Sequence, residues 1–252
     1  MNILLTNDDG IQAEGLKALY RQLSRRYNVL VVAPDHEQSG TGHAISLHAP
    51  LRAQKMEADN SFGGYAVSGT PADCVKLALL ELCEVRPDLV VAGINPGANL
   101  GMNVNYSGTV AAAREAALYG LPAIAMAANS TSPSYYDDIA RFTVQLTERI
   151  FQNGIPAGTL LNVNFPDCPM AETAGVRVSP QGTTLFGESF EKRTDPRLKT
   201  YYWHGRGGMA ENTQSENDAT ALAANYIAIT PIKCDATDYE TIDILTRWNF
   251  TK

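Results

Sequence analysis

The chain has 252 residues, with 20 Lys+Arg against 27 Asp+Glu, a formal charge of −7 and 44% hydrophobic residues. That length and apolar content support a sizeable buried core and exclude a disordered tail, and no run approaches the ~18 apolar residues of a membrane span. The acidic balance argues against a nucleic-acid duplex as the main partner, because such proteins carry a basic stripe. The opening residues have no basic region and reach carboxylates by Asp8, so they do not read as a secretory signal. Cys74, Cys83, Cys168 and Cys234 form no C-x-x-C pair, which fits free thiols in a cytoplasmic protein. An anionic substrate would need something other than bulk charge to attract it.

In chain order, residues 2–6 form a short apolar run, and Leu16, Leu19 and Leu23 recur at the helical period between Gln12 and Arg26. Asn28 to Ala33 is β-branched and closed by Pro34, a buried strand. Strand, helix and strand within so short a stretch make a βαβ unit, hence a parallel sheet. The pattern predicts a helix from an N-cap at Thr70 to about Cys83, with Pro71 at its first position and Asp73 at its third. A strand over Asp88–Gly93, an Ala-rich helix over Ser107–Leu118 and a strand over Ala123–Ala127 follow. Next come a helix over Tyr135–Asn153 and a strand over Leu160–Asn164. The fold class is therefore α/β, doubly wound around a mostly parallel, Rossmann-like sheet.

Past residue 175 the alternation stops. Residues 176–206 read as an arm with Thr200–Trp203 as one side of a hairpin, followed by a return strand over Tyr226–Thr230 and a terminal helix over Tyr239–Trp248. The expected organisation is a core over 1–175, with 176–252 as an oligomerisation element of the same domain.

Ligands of open α/β sheets bind beyond the carboxyl ends of the strands. Three unusual segments fall there: Asn7-Asp8-Asp9-Gly10, the stretch from Pro34 to His43, and the stretch from Asn95 to Thr109. Adjacent carboxylates repel unless a cation lies between them, and Gly10 lets the chain turn so that Asp8 and Asp9 converge. Oxygen ligands of this kind suit Mg²⁺ or Mn²⁺ better than zinc. A helix cap by one Asp is the other reading of this segment. The third segment carries asparagines at 95, 99, 103 and 105 ahead of Ser107-Gly108-Thr109 and a helix start, whose N–H groups and hydroxyls form an anion site. A phosphate bridging a cation and that helix start accounts for both segments, and the cation supplies the positive field the acidic chain lacks.

The middle segment says less. Gly40 and Gly42 precede a strand-like Ala44-Ile45-Ser46-Leu47, without the dinucleotide fingerprint or a Walker Lys. Ser39 can lend an oxygen to an ion, whereas His36 and His43 are weak acid or base candidates and Ser68–Pro71 reads as a helix cap.

Taken in order, these motifs resemble the SurE family of survival proteins. The resemblance rests on Asn-Asp-Asp-Gly after the first strand, Ser39-Gly40, Ser-Gly-Thr-Pro-Ala-Asp-Cys at 68–74 and Gly-Ile-Asn-x-Gly-x-Asn at 93–99. It rests also on Tyr-Ser-Gly-Thr-Val-Ala-Ala-Ala-Arg-Glu at 106–115, Leu-Asn-Val-Asn-Phe-Pro at 161–166 and Tyr-Ile-Ala-Ile-Thr-Pro at 226–231. It implies a metal-dependent nucleotidase acting on nucleoside 5′- and 3′-monophosphates, in some members on polyphosphate. It further implies one divalent ion (Mg²⁺ or Mn²⁺) on Asp8, Asp9, Ser39 and Asn95, and phosphate contacts from Asn99, Ser107, Gly108 and Thr109. Asp8 and Asp9 are then the catalytic pair, with Asp8 the preferred base or covalent nucleophile. Dimers or tetramers that exchange the C-terminal arm are also implied. Two departures stand out: Ser179-Pro180-Gln181-Gly182 where the family often has Thr-Arg-Gln-Gly, and Asn225 in place of a usual Gly. Two other classes compete with this reading. A haloacid-dehalogenase-type phosphatase needs a D-x-D pattern that contiguous Asp8-Asp9 does not give, and a non-catalytic nucleotide sensor would use the same anion site without turnover.

Overall fold

The structure is a computed structural model that describes residues 1–56, 62–183, 189–205, 216–248 and 250. Its first unit is the expected one: β1 (Asn2–Thr6), α1 (Glu14–Leu23) and β2 (Asn28–Pro34), with β1 and β2 parallel. Alternation along β1 decides which side each residue serves. Ile3 and Leu5 join a core with Leu16, Leu19 and Leu23 of α1, while Leu4 joins the core on the opposite face.

Beyond β2 run β3 (Ala53–Met56), β4 (Gly64–Val67) and α2 (Pro71–Leu77), which continues as a π-helical turn over Ala78–Leu82. Thr70 caps α2 in a reciprocal box with Asp73, as its sequence indicates. Then come β5 (Leu89–Pro96), α3 (Gly108–Leu118), β6 (Ala123–Ala128), α4 (Tyr136–Asn153), β7 (Thr159–Phe165) and β8 (Gly175–Val178). The chain closes with β9 (Ser189–Thr194), β10 (Thr200–Gly205), α5 (Asp218–Ala223), β11 (Tyr226–Lys233) and α6 (Tyr239–Thr246).

Among the described residues nine strands form one sheet in the order β3-β4-β2-β1-β5-β6-β7-β11-β8. Its antiparallel pairs are β3 with β4 and β7 with β11. α1 and α4 cover one face, and α2 and α3 cover the other. From β1 the chain winds outward through β2 and β4, then returns to lay β5 on β1's other side. The strand order reverses between β1 and β5, so the crevice of such a fold opens there.

The structure departs from the sequence reading in several places, among them α5, which the sequence reading did not include. Ala44–Leu47 forms no strand, because side chains take its main-chain groups: Ser46 N–H donates to Asp73 Oδ1 at 3.0 Å, and Ala44 C=O accepts from the Thr70 hydroxyl at 2.7 Å. Residues 176–178, expected in the arm, belong to β8, which pairs parallel to β11 in the main sheet. β3 and β4, unnoticed in the sequence, extend the sheet at its other end. The hairpin itself is β9 paired antiparallel with β10, and Thr200–Trp203 lies on β10. Of the expected arm and C-terminal element, residues 184–188, 206–215, 249 and 251–252 lie outside the described residues.

Candidate active site at the strand reversal

The end of β1 supplies the carboxylates. Asn7 Nδ2 donates to Gly10 C=O at 2.9 Å, closing a tight turn in which Gly10 adopts φ +97°, left-handed backbone that suits glycine. Asp8 is buried and Asp9 partly so. Neither caps α1: the N-cap is Ala13, with no side-chain cap bond. The cap reading of the carboxylate pair therefore fails.

The end of β5 supplies the second wall. Its pairing with β6 shifts register between Ala92 and Asn95, a bulge that re-aims the strand end. Asn95 Nδ2 donates to Gly97 C=O at 2.6 Å, which leaves Oδ1 as its side-chain acceptor. Asn99 follows, then a 3₁₀ turn over Gly101–Asn105, then Ser107, whose Oγ accepts the Val110 N–H at 3.1 Å and caps α3. This cap delivers the helix start to Asp8. The Thr109 hydroxyl donates to Asp8 Oδ1, and Gly108 lies so close that a Cβ there would stand 2.8 Å from Asp8 Cβ.

The loop after β2 forms the third wall. Gln38 N–H donates to Asp8 C=O at 2.7 Å, and Gly42 N–H donates to Tyr106 C=O at 3.0 Å. The loop is therefore stitched to both of the other segments, and the three meet at one sheet edge as expected. Ser39 lies on it with its hydroxyl donating to Glu37 Oε1 at 2.7 Å.

Electrostatics set the character of this cluster. Burial pushes the Asp8 carboxyl up, against the stabilising hydrogen bonds from Thr109, and Glu37 adds to the rise. Burial, then the charges of Asp8 and Glu37, push Asp9 up to about 7. Asp9 Oδ2 is buried without a hydrogen-bond partner among the described residues. Crowded carboxylates with an orphaned oxygen are what a cation relieves. The donor set of Asp8, Asp9, Ser39 and Asn95 is all oxygen, so it fits a hard divalent ion. Among the described residues no three His, Cys, Asp or Glu side chains gather around a common point, so uncharged Ser39 and Asn95 would have to complete the shell.

Sequence reading overlooked several contributors. Glu37 presses on both carboxylates, and Glu115 of α3 holds His43 Nε2 at 2.7 Å and Lys76 Nζ at 3.3 Å, tying the Ser39 loop to two helices. Asn162 and Asn164 of β7 and Asp218 of α5 bond the loop after β5. The sequence signal of the two asparagines was Asn-x-Asn inside an otherwise apolar strand; Asp218 on α5 had none.

The family model described as "Survival protein SurE" matches residues 3–188. Over 252 residues, all of both chains, the protein is 50% identical to the "5'-nucleotidase SurE" of Desulfatibacillum aliphaticivorans. It is 45% identical over 249 residues to the protein of that name from Syntrophobacter fumaroxidans, covering 99% of this chain and 100% of that one. The crystal structure of the SurE protein from Aquifex aeolicus superimposes with a TM-score of 0.85 at 37% identity, covering 98% of each chain. Shared motifs, whole-length identity and a common architecture make this chain a member of the SurE family.

Proposed function

We propose that the chain is a 5′-nucleotidase, a metal-dependent phosphomonoesterase that releases phosphate from nucleoside 5′-monophosphates, with 3′-monophosphates and polyphosphate as further substrates. One observation carries the reading. At the strand reversal two carboxylates crowd each other, Asp9 with an orphaned oxygen and Asp8 bonded to the first turn of a capped helix. The curated relatives named 5'-nucleotidase SurE, at 44–50% identity, support the choice of substrate class.

In this reading Asp8, Asp9, Ser39 and Asn95 hold one Mg²⁺ or Mn²⁺, which supplies positive charge against the phosphoryl oxygens and the attacking water. The chain's own residues do the rest. Ser107 presents its hydroxyl, and Gly108 and Thr109 their first-turn N–H groups, where negative charge grows on the phosphoryl group, while the Thr109 hydroxyl stays on Asp8. Asn99 Nδ2, buried and unpartnered among the described residues, adds a neutral donor. Asp8, oriented by the Thr109 hydroxyl, takes the proton of the attacking water and passes it to the nucleoside oxygen that leaves as the ester P–O bond breaks; alternatively it attacks phosphorus itself, and water then hydrolyses the aspartyl phosphate to regenerate the carboxylate and release phosphate. The chain works as a homodimer or homotetramer built through residues 176–252, a proposal supported by exposed Phe190, Tyr202 and Trp203 on the hairpin and Ile244 and Trp248 at the C-terminus. No described helix is long and apolar enough to cross a membrane.

The test is phosphate release from AMP by purified protein after EDTA treatment, then with Mn²⁺ or Mg²⁺ restored. Turnover should vanish with the chelator and return with metal, and Asp8→Asn should abolish it with the fold intact. Full activity in Asp8→Asn sinks the site assignment. Nucleotide binding without turnover under any metal, across a panel of phosphomonoesters, favours a sensor.

A further inference from the structure

The stretch that leads from Asn95 at the end of β5 to Ser107 carries Asn99, and past Gly97, whose N–H donates to Ala128 C=O of β6 at 2.8 Å, it crosses the end of the sheet without a strand partner among the described residues. Something else must fix it. Asn164 does so at one residue with both ends of its amide: Asn99 N–H donates to Asn164 Oδ1 at 2.8 Å, and Asn164 Nδ2 donates to Asn99 C=O at 3.1 Å. Asn162, two residues earlier on the same face of β7, donates to that carbonyl as well, at 2.7 Å.

Two residues on, the main chain is gripped again from the C-terminal part. Gly101 N–H donates to Asp218 Oδ2 at 2.8 Å, and Gly101 C=O accepts from Gln181 Nε2 at 2.9 Å. Asp218 also accepts the Gly182 N–H through Oδ1 at 2.9 Å, so one carboxylate joins the 180–182 turn to the loop. Asn162, Asn164 and Asp218 are fully buried.

Buried amides and a buried carboxylate are costly in such a place unless bonded. Asn164 meets both ends of its amide on Asn99, Asn162 spends its donor there and leaves Oδ1 without a partner among the described residues, and Asp218 accepts from Gly101, Gly182 and Ala219. Both polar groups of Asn99 and of Gly101 are thereby spoken for, while Asn99 Nδ2 is left buried and without a partner among the described residues. A turn clamped on its backbone with one side-chain donor left over is a preorganised donor. We propose that Asn162, Asn164 and Asp218 are positioning residues, which hold the Asn99–Gly101 turn so that Asn99 meets the phosphoryl group of the substrate. The proposal rests on the phosphomonoesterase reading and extends it to residues that touch neither substrate nor metal.

The experiment compares Asn164→Ala and Asp218→Asn with the wild-type chain. It measures KM for AMP, the inhibition constant of inorganic phosphate, and the Mn²⁺ concentration giving half activity. A loosened turn should raise KM and the phosphate inhibition constant together by about 5–10-fold in Asn164→Ala and about 2–3-fold in Asp218→Asn, with the Mn²⁺ requirement unchanged. A merely structural role would lower the amount of active protein and leave both constants where they were; that outcome overturns the proposal. A Mn²⁺ requirement that rises as far as KM also overturns it, by placing the effect at Asp8 and Asp9. If Asn164→Ala does not fold, Asp218→Asn decides by the same constants. If the wild-type chain releases no phosphate from AMP, the nucleotidase reading fails by itself. Calorimetry with inorganic phosphate and Mn²⁺ then decides the clamp: weaker binding by the variants upholds it, equal binding refutes it.

Discussion

Gly108 offers a way to disturb the site without removing a polar atom. It is the first residue of α3, and its φ lies outside the left-handed region, so alanine is conformationally acceptable there. Space is what is missing. A Cβ would stand 2.8 Å from Asp8 Cβ, 2.9 Å from Asp8 Oδ2 and 3.1 Å from Pro71 Cγ. Reaching ordinary contact requires Asp8 to retreat by roughly 0.6 Å, and displacements approaching 1 Å at a reacting group cost about 10²-fold in rate. Asp8 has little room to retreat, since its Oδ1 is held by the Thr109 hydroxyl and its C=O by Gln38 N–H. Overpacking costs about 1–3 kcal/mol, offset by about 0.5–1 kcal/mol from replacing a helical glycine, so the net loss is about 0–2.5 kcal/mol. At about 2–4 °C per kcal/mol for a chain of this size, Tm should fall by no more than ~10 °C and leave the protein folded at 25 °C. Phosphate release from AMP with saturating Mn²⁺, followed beside a thermal melt, should show kcat down by about 30–100-fold in Gly108→Ala. A variant that keeps kcat within about threefold of wild type refutes the argument, because either the carboxylate moves without consequence or it is not where the chemistry happens.

Two further outcomes test the frame around the site. The hydrogen bond from His43, against the opposing effect of burial and with the Lys76 charge helping, holds the Glu115 carboxyl below its ordinary 4.5. A depressed folded value means stability that is present above 4.5 and lost as pH falls through the lower folded value, so the Tm deficit of Glu115→Gln should be full near neutral pH and close in acid. An equal deficit at about pH 6.5 and about pH 3.5 would remove the ion pair from the explanation. Sedimentation of the intact chain should give two or four times its 27.2 kDa, and Trp203→Ser with Ile244→Ser should shift it toward one; a monomeric wild type would refute assembly through the C-terminal part.

The central sheet was legible because each of its inner strands is a β-branched or Ala-rich run between turn residues, and burial on both faces demands such runs. The edges were not. β3 reads Ala-Gln-Lys-Met and is mostly exposed, so no apolar period marks it, and β8 hides in a short alternation. Ala44–Leu47 misled in the opposite direction, since its apolar residues suggested a ladder while the buried Asp73 carboxylate and the Thr70 hydroxyl claimed its backbone. Asn225, noted as standing for a usual Gly, has φ +59°, and asparagine is among the few side chains that tolerate that region. The departure thus keeps the turn that the glycine would make.

At the candidate site, sequence could name candidate ligands at the strand ends but not the residues that hold their loops. Asp8, Asp9, Asn95 and Ser107 announce themselves because their chemistry is unusual for strand ends and helix starts. Asn164 and Asp218 act through the main chain of other residues, across 65 and 117 positions, and no local pattern encodes a partner that distant. The distinction has a physical root. A ligand-facing group must be polar where the local pattern expects a turn, so it stands out. A supporting group must be polar where the pattern expects core, and its reason appears only when the fold supplies the backbone it bonds. Asn162 and Asn164 fit that description, amides on the face of β7 that Leu160 shares with the apolar core beside α3. A polar residue breaking a buried strand near its carboxyl end is therefore a signal to look across the sheet for the loop it holds.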